Sequence, residues 1–331
     1  MTSTPDTVLP VFDLKAFTDA SPAERRVLAR TVDDALESVG FLALVGHGID
    51  QSAIDEVRST ADTFFNLPDH LKSDLVPTTP GAPGFHPVET GSLARTMGLK
   101  RSPDHKESFT VGPVDLPPAR YSRRPEAMRW FPHNRWPEVE RMRESWTLYY
   151  RQASAVSKRL MRVFEVSLGL REGAFTDGCQ RETSVLSAVH YPPQPPSHFD
   201  RTRAGPHSDY STLTLFHKTE GADRLEILRD DGEWTAVVAP PGGLVVNIGD
   251  LMARWVDDRW VSRVHRVVGP TPGPAGARGG SISIGFFHQP DYDALIQPPL
   301  APGQAGSASS GVRAGAYLAA KMNRQHERAG V

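Results

Sequence analysis

Apolar and polar residues recur with different periods in the two halves of the chain. After Ser21, apolar side chains recur at helical spacing, at Val27, Leu28, Val32 and Leu36. Ser21 and Glu24 have the separation of a capping box, and Pro22 stands at the first helical position, where proline is favoured. The pattern predicts a helix from Pro22 to Val39.

Three further segments are predicted to be helical. One extends from Ile54 to Phe65, and Val312 to Glu327 is predicted to form a closing helix. The stretch from Trp136 to Leu170 is long enough for a pair of helices or one bent helix. Residues 301–311 have the small and polar composition of a flexible linker. We expect the helices to support a sheet from outside.

In the second half, from about Ser184 to Phe287, short apolar runs are separated by turns. Leu225 to Leu228 and Trp234 to Val238, for example, flank the turn sequence at 230–232. Strands at this spacing are typical of an all-β sandwich or barrel. Composition alone does not choose between these architectures.

The composition fits a globular protein with a large core. Of the 331 residues, 39% are hydrophobic and 23% are charged, and this length allows one large domain or two. The net charge is −2 and no basic block occurs, which argues against nucleic-acid binding. The chain lacks a secretory-signal pattern, and no apolar run approaches the ~20 residues of a membrane span. We therefore expect a cytoplasmic protein that binds neither nucleic acid nor membrane.

Cys179 is the only cysteine in the sequence. A single thiol excludes an internal disulfide and suits a reducing compartment. Without other thiols nearby it is a poor metal ligand, and we expect it to be structural.

A His-x-Asp pair formed by His207 and Asp209 is the strongest indication of chemistry. It stands directly before an alternating run at 210–216, which predicts a strand. Side chains two apart on a strand point to the same side, so these two residues can bind one ion, and His265 can complete the set. Two imidazoles and one carboxylate leave about three coordination positions open, as in non-haem Fe(II) oxygenases. Open positions indicate catalysis rather than structural support.

A second His-x-Asp pair, His198 and Asp200, does not have this context. Prolines precede it and a glycine-containing polar stretch follows it. Such a segment predicts a loop, which does not fix the geometry of two ligands. We therefore assign the metal site to the pair at 207 and 209.

Nine segments form an ordered set of motifs along the chain: Leu9–Leu14, Gly40–Ile49, Phe64–Pro68, Asp104–Phe109, Tyr191–Pro193, His207–Asp209, Val246–Asp250, Ser262–Val267 and Ser283–Phe287. In this order they resemble the isopenicillin N synthase-like family of Fe(II)- and 2-oxoglutarate-dependent oxygenases. The resemblance covers nearly the whole chain. Motifs that occur together in order are far more specific than any one of them.

The resemblance implies a mainly β fold with flanking helices. Its core is expected to be a double-stranded β-helix, a cupin-like jelly roll, supported by N-terminal and central helices. Residues 1–331 are expected to form one oxygenase unit, with an N-terminal helix-and-strand region at 1–115 and the catalytic core at 180–290.

The resemblance also implies an activity. His207, Asp209 and His265 are the expected metal ligands and catalytic residues, with Fe(II) as cofactor and 2-oxoglutarate and O2 as cosubstrates. The expected reaction oxidises an unactivated C–H bond of a small metabolite, such as an amino acid or natural-product intermediate, by hydroxylation, desaturation or cyclisation.

The expected 2-oxoglutarate anchor departs from the family pattern. In the family, an Arg-x-Ser pair on a late strand binds the distal carboxylate, and arginine suits this role because its planar guanidinium forms two parallel charged hydrogen bonds. Alignment on the pair at 286–287 places the serine at Ser283 and puts Ser281 where the arginine belongs. Arg278 is the nearest arginine upstream, and it reaches the same side only through a glycine-allowed bulge.

Other residues are candidates for the same task. Tyr191 begins a Tyr-Pro-Pro segment and can donate a hydrogen bond to a bound oxoacid. Arg254 and Arg266 are the other candidate cations. Arg266 has the wrong strand parity for the metal side, and we expect it to form a structural ion pair.

Four basic residues lie close together in sequence, namely Arg95, Lys100, Arg101 and Lys106. In similar enzymes this region lies near the mouth of the barrel. A cationic rim that selects an anionic substrate is one interpretation, and a solvated surface is the favoured one.

Two other functions compete with the oxygenase. One is an iron oxidase of the isopenicillin N synthase type, which takes its electrons from the substrate and needs no 2-oxoglutarate. The other is a non-catalytic β-barrel protein that binds a metal or a ligand. The sequence does not determine the oligomeric state.

Overall fold

The elements of the fold come from a computed structural model that describes residues 7–79, 81–88, 90–98, 104–193, 203–218, 223–269, 280–299 and 311–326. Its helices are α1 (Leu14–Asp19), α2 (Pro22–Ser38), α3 (Gln51–Phe65), α4 (Asp69–Ser73), α5 (Ala119–Ser122), α6 (Met142–Ser167), α7 (Asp250–Trp255) and α8 (Ala314–His326). Its strands are β1 (Thr7–Val8), β2 (Val11–Asp13), β3 (Phe41–Val45), β4 (Gly84–His86), β5 (Glu107–Val111), β6 (Val185–Tyr191), β7 (Ala204–His207), β8 (Leu213–Lys218), β9 (Arg224–Leu228), β10 (Trp234–Val238), β11 (Leu244–Ile248), β12 (His265–Val268), β13 (Ser281–His288), β14 (Leu295–Ile296) and β15 (Val312–Arg313).

Two sheets form the core of the fold. The larger has the strand order β2-β3-β11-β8-β13-β6-β5-β4, and the smaller has the order β1-β10-β9-β12-β7. From β6 to β13 the chain passes back and forth between them, and the pairs within this segment are antiparallel. This alternation between two sheets confirms the expected jelly roll.

Strands of the larger sheet divide their side chains between two cores. On β3, Leu42 lies in a core shared with Trp146 of α6, whereas Phe41 lies with Tyr191 of β6 and Ile227 of β9. We call these the helix-side core and the barrel core. Because successive side chains on a strand point to opposite faces, one sheet supports the helices on one face and a ligand cavity on the other.

The structure confirms the capping box of α2 and its predicted span. Glu24 accepts a hydrogen bond from the backbone N–H of Ser21 at 2.8 Å, and Ser21 Oγ accepts one from the backbone N–H of Glu24 at 3.4 Å. The helix runs from Pro22 to Ser38. The next helix, α3, begins at Gln51, three residues before the predicted start.

The bounds predicted for α6 were too wide. It is one helix that begins at Met142, because Arg141 has a left-handed φ of 61°. Beyond its end at Ser167, Gly169 has a φ of 64°, a conformation that glycine adopts freely after a helix.

The closing helix α8 begins at Ala314, two residues later than predicted, because residues 312 and 313 pair with β14. Residues 301–310 of the predicted linker lie outside the described residues. Among the described helices, none combines the length and the apolar character that crossing a membrane requires.

Candidate active site

His207, Asp209 and His265 converge between the two sheets. His207 ends β7, His265 begins β12, and the two are cross-strand partners. Asp209 Oδ1 lies 3.9 Å from His207 Nε2 and 3.7 Å from His265 Nε2, and one donor atom from each residue lies within 4.8 Å of the others. All three residues are buried. The donor set fits an ion such as Fe(II), which binds imidazole and carboxylate ligands.

Backbone carbonyls fix the tautomer of both histidines. His207 Nδ1 lies 2.7 Å from the carbonyl oxygen of Gly205, and His265 Nδ1 lies 3.1 Å from that of Arg263. A carbonyl can only accept a hydrogen bond, so each Nδ1 carries the proton and donates it. Each Nε2 therefore keeps its lone pair for a metal ion, as ligand histidines do.

Two donors from the larger sheet hold the second oxygen of Asp209. Thr214 Oγ1 donates to Oδ2 at 2.6 Å, and Asn247 Nδ2 donates to the same oxygen at 2.8 Å. This leaves Oδ1 on the side of the histidines. The sequence did not identify these supporting residues. The available signal was Asn247, the one polar residue of β11.

Close backbone packing positions the segment that carries Asp209. The N–H of Asp250 donates to the carbonyl of Asp209 at 2.7 Å, and that of Gly249 donates to the carbonyl of Thr212 at 3.0 Å. A Cβ at Gly249 would lie 2.3 Å from the carbonyl oxygen of Ser211. Only glycine fits here, which explains the Asn-x-Gly-Asp motif at 247–250 in structural terms.

Burial and nearby charges keep His207 and Asp209 in the protonation state that binds metal. The pKa of His207 is lowered to about 3, first by burial and then by the nearby charge of His265. Burial alone would raise the pKa of Asp209, but the two histidines, Asn247 and Thr214 outweigh it and the pKa is lowered. Near neutral pH, His207 is therefore neutral and Asp209 is anionic, as ligation requires.

A cavity of about 210 Å³ adjoins the triad. Its apolar wall includes Phe41, Leu225 and Val267 of the barrel core. Its polar wall includes Lys106 and Tyr191, with Ser108, Thr110, Ser187 and Gln289. The cavity lining thus combines hydrogen-bonding groups with apolar side chains.

The predicted 2-oxoglutarate residues lie in different surroundings. Tyr191 lines the cavity, and its pKa is raised by burial and by the nearby carboxylates of Asp223 and Asp104, so its phenol is a donor. Ser283 shares the strand face of Phe287, which lines the cavity. Arg278 lies outside the described residues.

Ser281, at the family's arginine position, belongs to a buried ionic network. Its hydroxyl donates to Asp223 Oδ2. Asp223 Oδ1 accepts from Arg203 Nε at 3.0 Å, and Arg203 also donates to the carbonyl of Pro192. Arg203 and Asp223 were missed from sequence, because nothing in local spacing shows that they meet beside position 281.

The other predicted cations have separate outcomes. Arg266 Nη2 lies 2.7 Å from Glu226, and the guanidinium covers the ring of Trp234, so the predicted structural ion pair is confirmed. Lys106 lines the cavity, and the favoured interpretation of its cluster as solvated surface is wrong for this residue. Arg254 lies in α7 and Arg95 in a 3₁₀ helix at 93–97. Residues 100 and 101 lie outside the described residues.

Cys179 is a buried, free cysteine, which is compatible with a structural role. Burial raises the pKa of its thiol, and the carboxylate of Glu182 adds to this effect. A raised pKa makes the thiol a poor nucleophile.

Two family profiles match the chain. Residues 9–139 match the N-terminal region described as non-haem dioxygenase in morphine synthesis, and residues 182–290 match the 2OG-Fe(II) oxygenase superfamily. Validamycin A dioxygenase from Streptomyces hygroscopicus subsp. limoneus is 30% identical over 317 residues, covering 95% of this chain and 85% of that protein. The chain belongs to the 2OG-Fe(II) oxygenase superfamily. A further relative, homoarginine-6-hydroxylase 2-ODD-233 from Oryza sativa subsp. japonica, is 28% identical over 82% of this chain and 80% of its own length.

Solved structures of 2OG-Fe(II) oxygenases share the fold. Neurospora crassa T7H, in complex with alpha-KG and thymine, is 25% identical with a TM-score of 0.80 and covers 95% of this chain and 96% of its own. A putative 2OG-Fe(II) oxygenase family protein from Caulobacter crescentus is 26% identical with a TM-score of 0.78 and covers 96% of this chain and 99% of its own.

These findings confirm the predicted family and jelly-roll fold. The protein is an Fe(II)- and 2-oxoglutarate-dependent dioxygenase that acts on a small metabolite. This activity is favoured over both the oxidase and the non-catalytic alternative.

Proposed function

We propose that this dioxygenase oxidises an unactivated C–H bond of a small polar natural-product intermediate, with His207, Asp209 and His265 as its iron ligands. One observation carries the proposal. Two Nε2 atoms and one carboxylate oxygen face one another beside a cavity that is wide enough for a small molecule. Three protein ligands leave about three coordination positions for small ligands.

Each ligand is supported for this task. The carbonyls behind His207 and His265 hold the rings in the tautomer that presents Nε2. Thr214 and Asn247 orient the carboxylate of Asp209. Iron, when bound, supplies the redox chemistry that couples decarboxylation of 2-oxoglutarate to oxidation of the substrate by O2. The apolar wall of the barrel core excludes water from this reaction.

The polar wall of the cavity supports a polar substrate. Ser108, Thr110 and Ser187 place hydroxyl groups on it, and each can donate and accept a hydrogen bond. Two similar proteins are named for, or solved with, polar molecules, validamycin A and thymine. A small molecule with several hydrogen-bonding groups fits this wall better than a lipid does.

Binding of iron and 2-oxoglutarate without oxygen tests the proposal first. We expect a weak visible charge-transfer band when Fe(II) and then 2-oxoglutarate are added to the apoprotein, with saturation at one equivalent of iron. The band should be absent in His207→Ala. It should persist in His70→Ala, a matched control because His70 is exposed and lies on α4.

Turnover with a panel of polar metabolites then identifies the substrate. A true substrate should yield succinate in proportion to an oxidised product, heavier by one oxygen or lighter by two hydrogens. Iron binding without the band, but with substrate-dependent O2 uptake, would contradict the use of 2-oxoglutarate and favour the oxidase.

A further inference from the structure

Lys106 is the one lysine or arginine among the described residues that line the cavity. It stands one residue before β5 and shares the strand face of Ser108 and Thr110, which also line the cavity. Its side chain is 19% exposed. A basic side chain therefore borders the space in which the cosubstrate and the substrate must bind.

The ammonium group of Lys106 has little protein to bind. Asp104 Oδ2 lies 4.0 Å from Nζ, which is too long for a hydrogen bond, and Nζ makes no hydrogen bond within the described ranges. Asp104 already accepts the backbone N–H of Leu93 and that of Gly205, each at 2.9 Å. Burial lowers the pKa of Lys106, because Asp104 and Asp209 compensate for its desolvation only in part. Its donors are available to a bound anion.

Strand register relates Lys106 to the expected 2-oxoglutarate anchor. Glu107 of β5 pairs with His190 of β6, and continuing this register by one residue puts Lys106 opposite Tyr191. Tyr191 in turn pairs with Ser281 of β13. Three adjacent strands, each about 4.8 Å from the next, thus place Lys106, Tyr191 and Ser281 in one row. The cation lies two strands away from the position at which the family has arginine.

Arg203 is a weaker candidate for the same task. Its Nε lies 3.0 Å from Asp223, and both residues are buried. Ser281 donates to the other oxygen of the same carboxylate. An anion that approaches this network meets a pair whose charges already cancel, so Lys106 is the better partner.

We propose that Lys106 binds the distal carboxylate of 2-oxoglutarate, together with the Tyr191 hydroxyl, in place of the arginine that Ser281 replaces. The inference rests on the proposed function, because it requires 2-oxoglutarate at the triad. Lysine offers a compact charge rather than a planar fork, which suits a contact made from a neighbouring strand.

A ligand pair and a variant pair together test the assignment. The affinity of the Fe(II)-loaded protein is measured anaerobically for two oxoacids, 2-oxoglutarate and 2-oxopentanoate. The second has the same chelating end but no distal carboxylate. Lys106→Met should weaken the binding of 2-oxoglutarate about 10- to 100-fold, because a charged hydrogen bond is lost. The affinity for 2-oxopentanoate should be unchanged. Lys106→Arg should retain most of the affinity. Lys15→Met, at a lysine whose side chain is 72% exposed on α1, is the matched control.

The possible outcomes separate this proposal from the proposed function. A normal affinity for 2-oxoglutarate in Lys106→Met, alone or with a raised KM for the substrate, would overturn the assignment and leave the dioxygenase intact. Equally weakened binding of both oxoacids would also overturn the assignment, because it would indicate a disturbed metal site. Absence of the band in the wild-type protein would overturn both proposals. Lys106→Gln, which keeps a polar end group but removes the charge, replaces Lys106→Met if that variant does not fold.

Discussion

The two ends of the cavity are built on different principles. At the proposed metal end, formed by His207, Asp209 and His265, each candidate ligand is supported by a neutral backbone or side-chain group. At the distal end, around Tyr191 and Ser281, charged residues from separate segments meet. A metal ion requires its ligand atoms at particular distances and angles, so the metal end tolerates little variation in residue type or position. Recognition of a carboxylate only needs a cation within reach, and several strands can supply it.

This difference explains why the sequence was informative at one end only. Metal ligation requires defined residue types at defined separations. A carboxylate can be met by lysine or arginine from any neighbouring strand. Loss of the arginine at position 281 is therefore compatible with the 2-oxoglutarate chemistry of the superfamily.

The largest effect is expected at the metal end. Asp209→Ala removes the anionic ligand, and we expect loss of Fe(II) binding and of succinate formation. Anaerobic iron titration and a coupled turnover assay measure both. Asp19→Ala, at an exposed residue of α1, serves as the control. Succinate formation above one tenth of the wild-type rate would contradict the assignment.

A smaller effect is expected one step behind the ligands. Thr214→Val keeps the shape but removes the 2.6 Å hydrogen bond to Asp209. Loss of such a supporting contact typically weakens metal binding about 10- to 100-fold. Thr63→Val, on the exposed side of α3, is the matched control. Iron affinity within threefold of wild type would show that Asn247 alone orients the carboxylate.

The metal end should also make the apoprotein sensitive to acid. Unfolded His207 takes up a proton near its ordinary pKa of 6.5, whereas the folded residue does so only at about 3. Between these values the unfolded state binds more protons, so the free energy of unfolding decreases as the pH falls. A difference of one bound proton between the two states changes the free energy of unfolding by at most about 1.4 kcal/mol per pH unit. We expect the free energy of unfolding, measured with urea at pH 4 to 6, to depend less steeply on pH in His207→Ala than in the wild-type protein. The same pH dependence in both proteins would refute the prediction.

The smallest effects are expected at Tyr191 and Ser281 of the distal end. Tyr191→Phe removes a hydrogen bond from a neutral donor and should weaken the binding of 2-oxoglutarate about 2- to 10-fold. Ser281→Ala should change that affinity less than about twofold, because its hydroxyl faces Asp223, but should cost about 1 kcal/mol of stability. Anaerobic titration measures the affinity for 2-oxoglutarate, and urea unfolding measures the stability. A larger loss of affinity in Ser281→Ala would place this serine in contact with the cosubstrate.

Local spacing was sufficient for much of the fold. The capping box predicted α2, and the His-x-Asp spacing identified two of the three candidate ligands. The single strand expected to carry both ligands was wrong, because β7 ends at His207 and β8 begins only at Leu213. Both signals arise within a few residues of chain, where backbone geometry fixes which side chains are neighbours. The limits of α6 were less accessible, because the left-handed conformation of Arg141 is not evident in its residue type.

The sequence by itself determined the family, the jelly-roll core and the three residues of the candidate iron site. Only the tertiary structure decided what surrounds them. It placed Thr214 and Asn247 behind Asp209, joined Arg203 and Asp223 beside Ser281, and brought Lys106 to the cavity wall. The reason is physical. Spacing along one strand is fixed by the backbone, whereas contacts between strands far apart in sequence depend on the register in which the two sheets assemble.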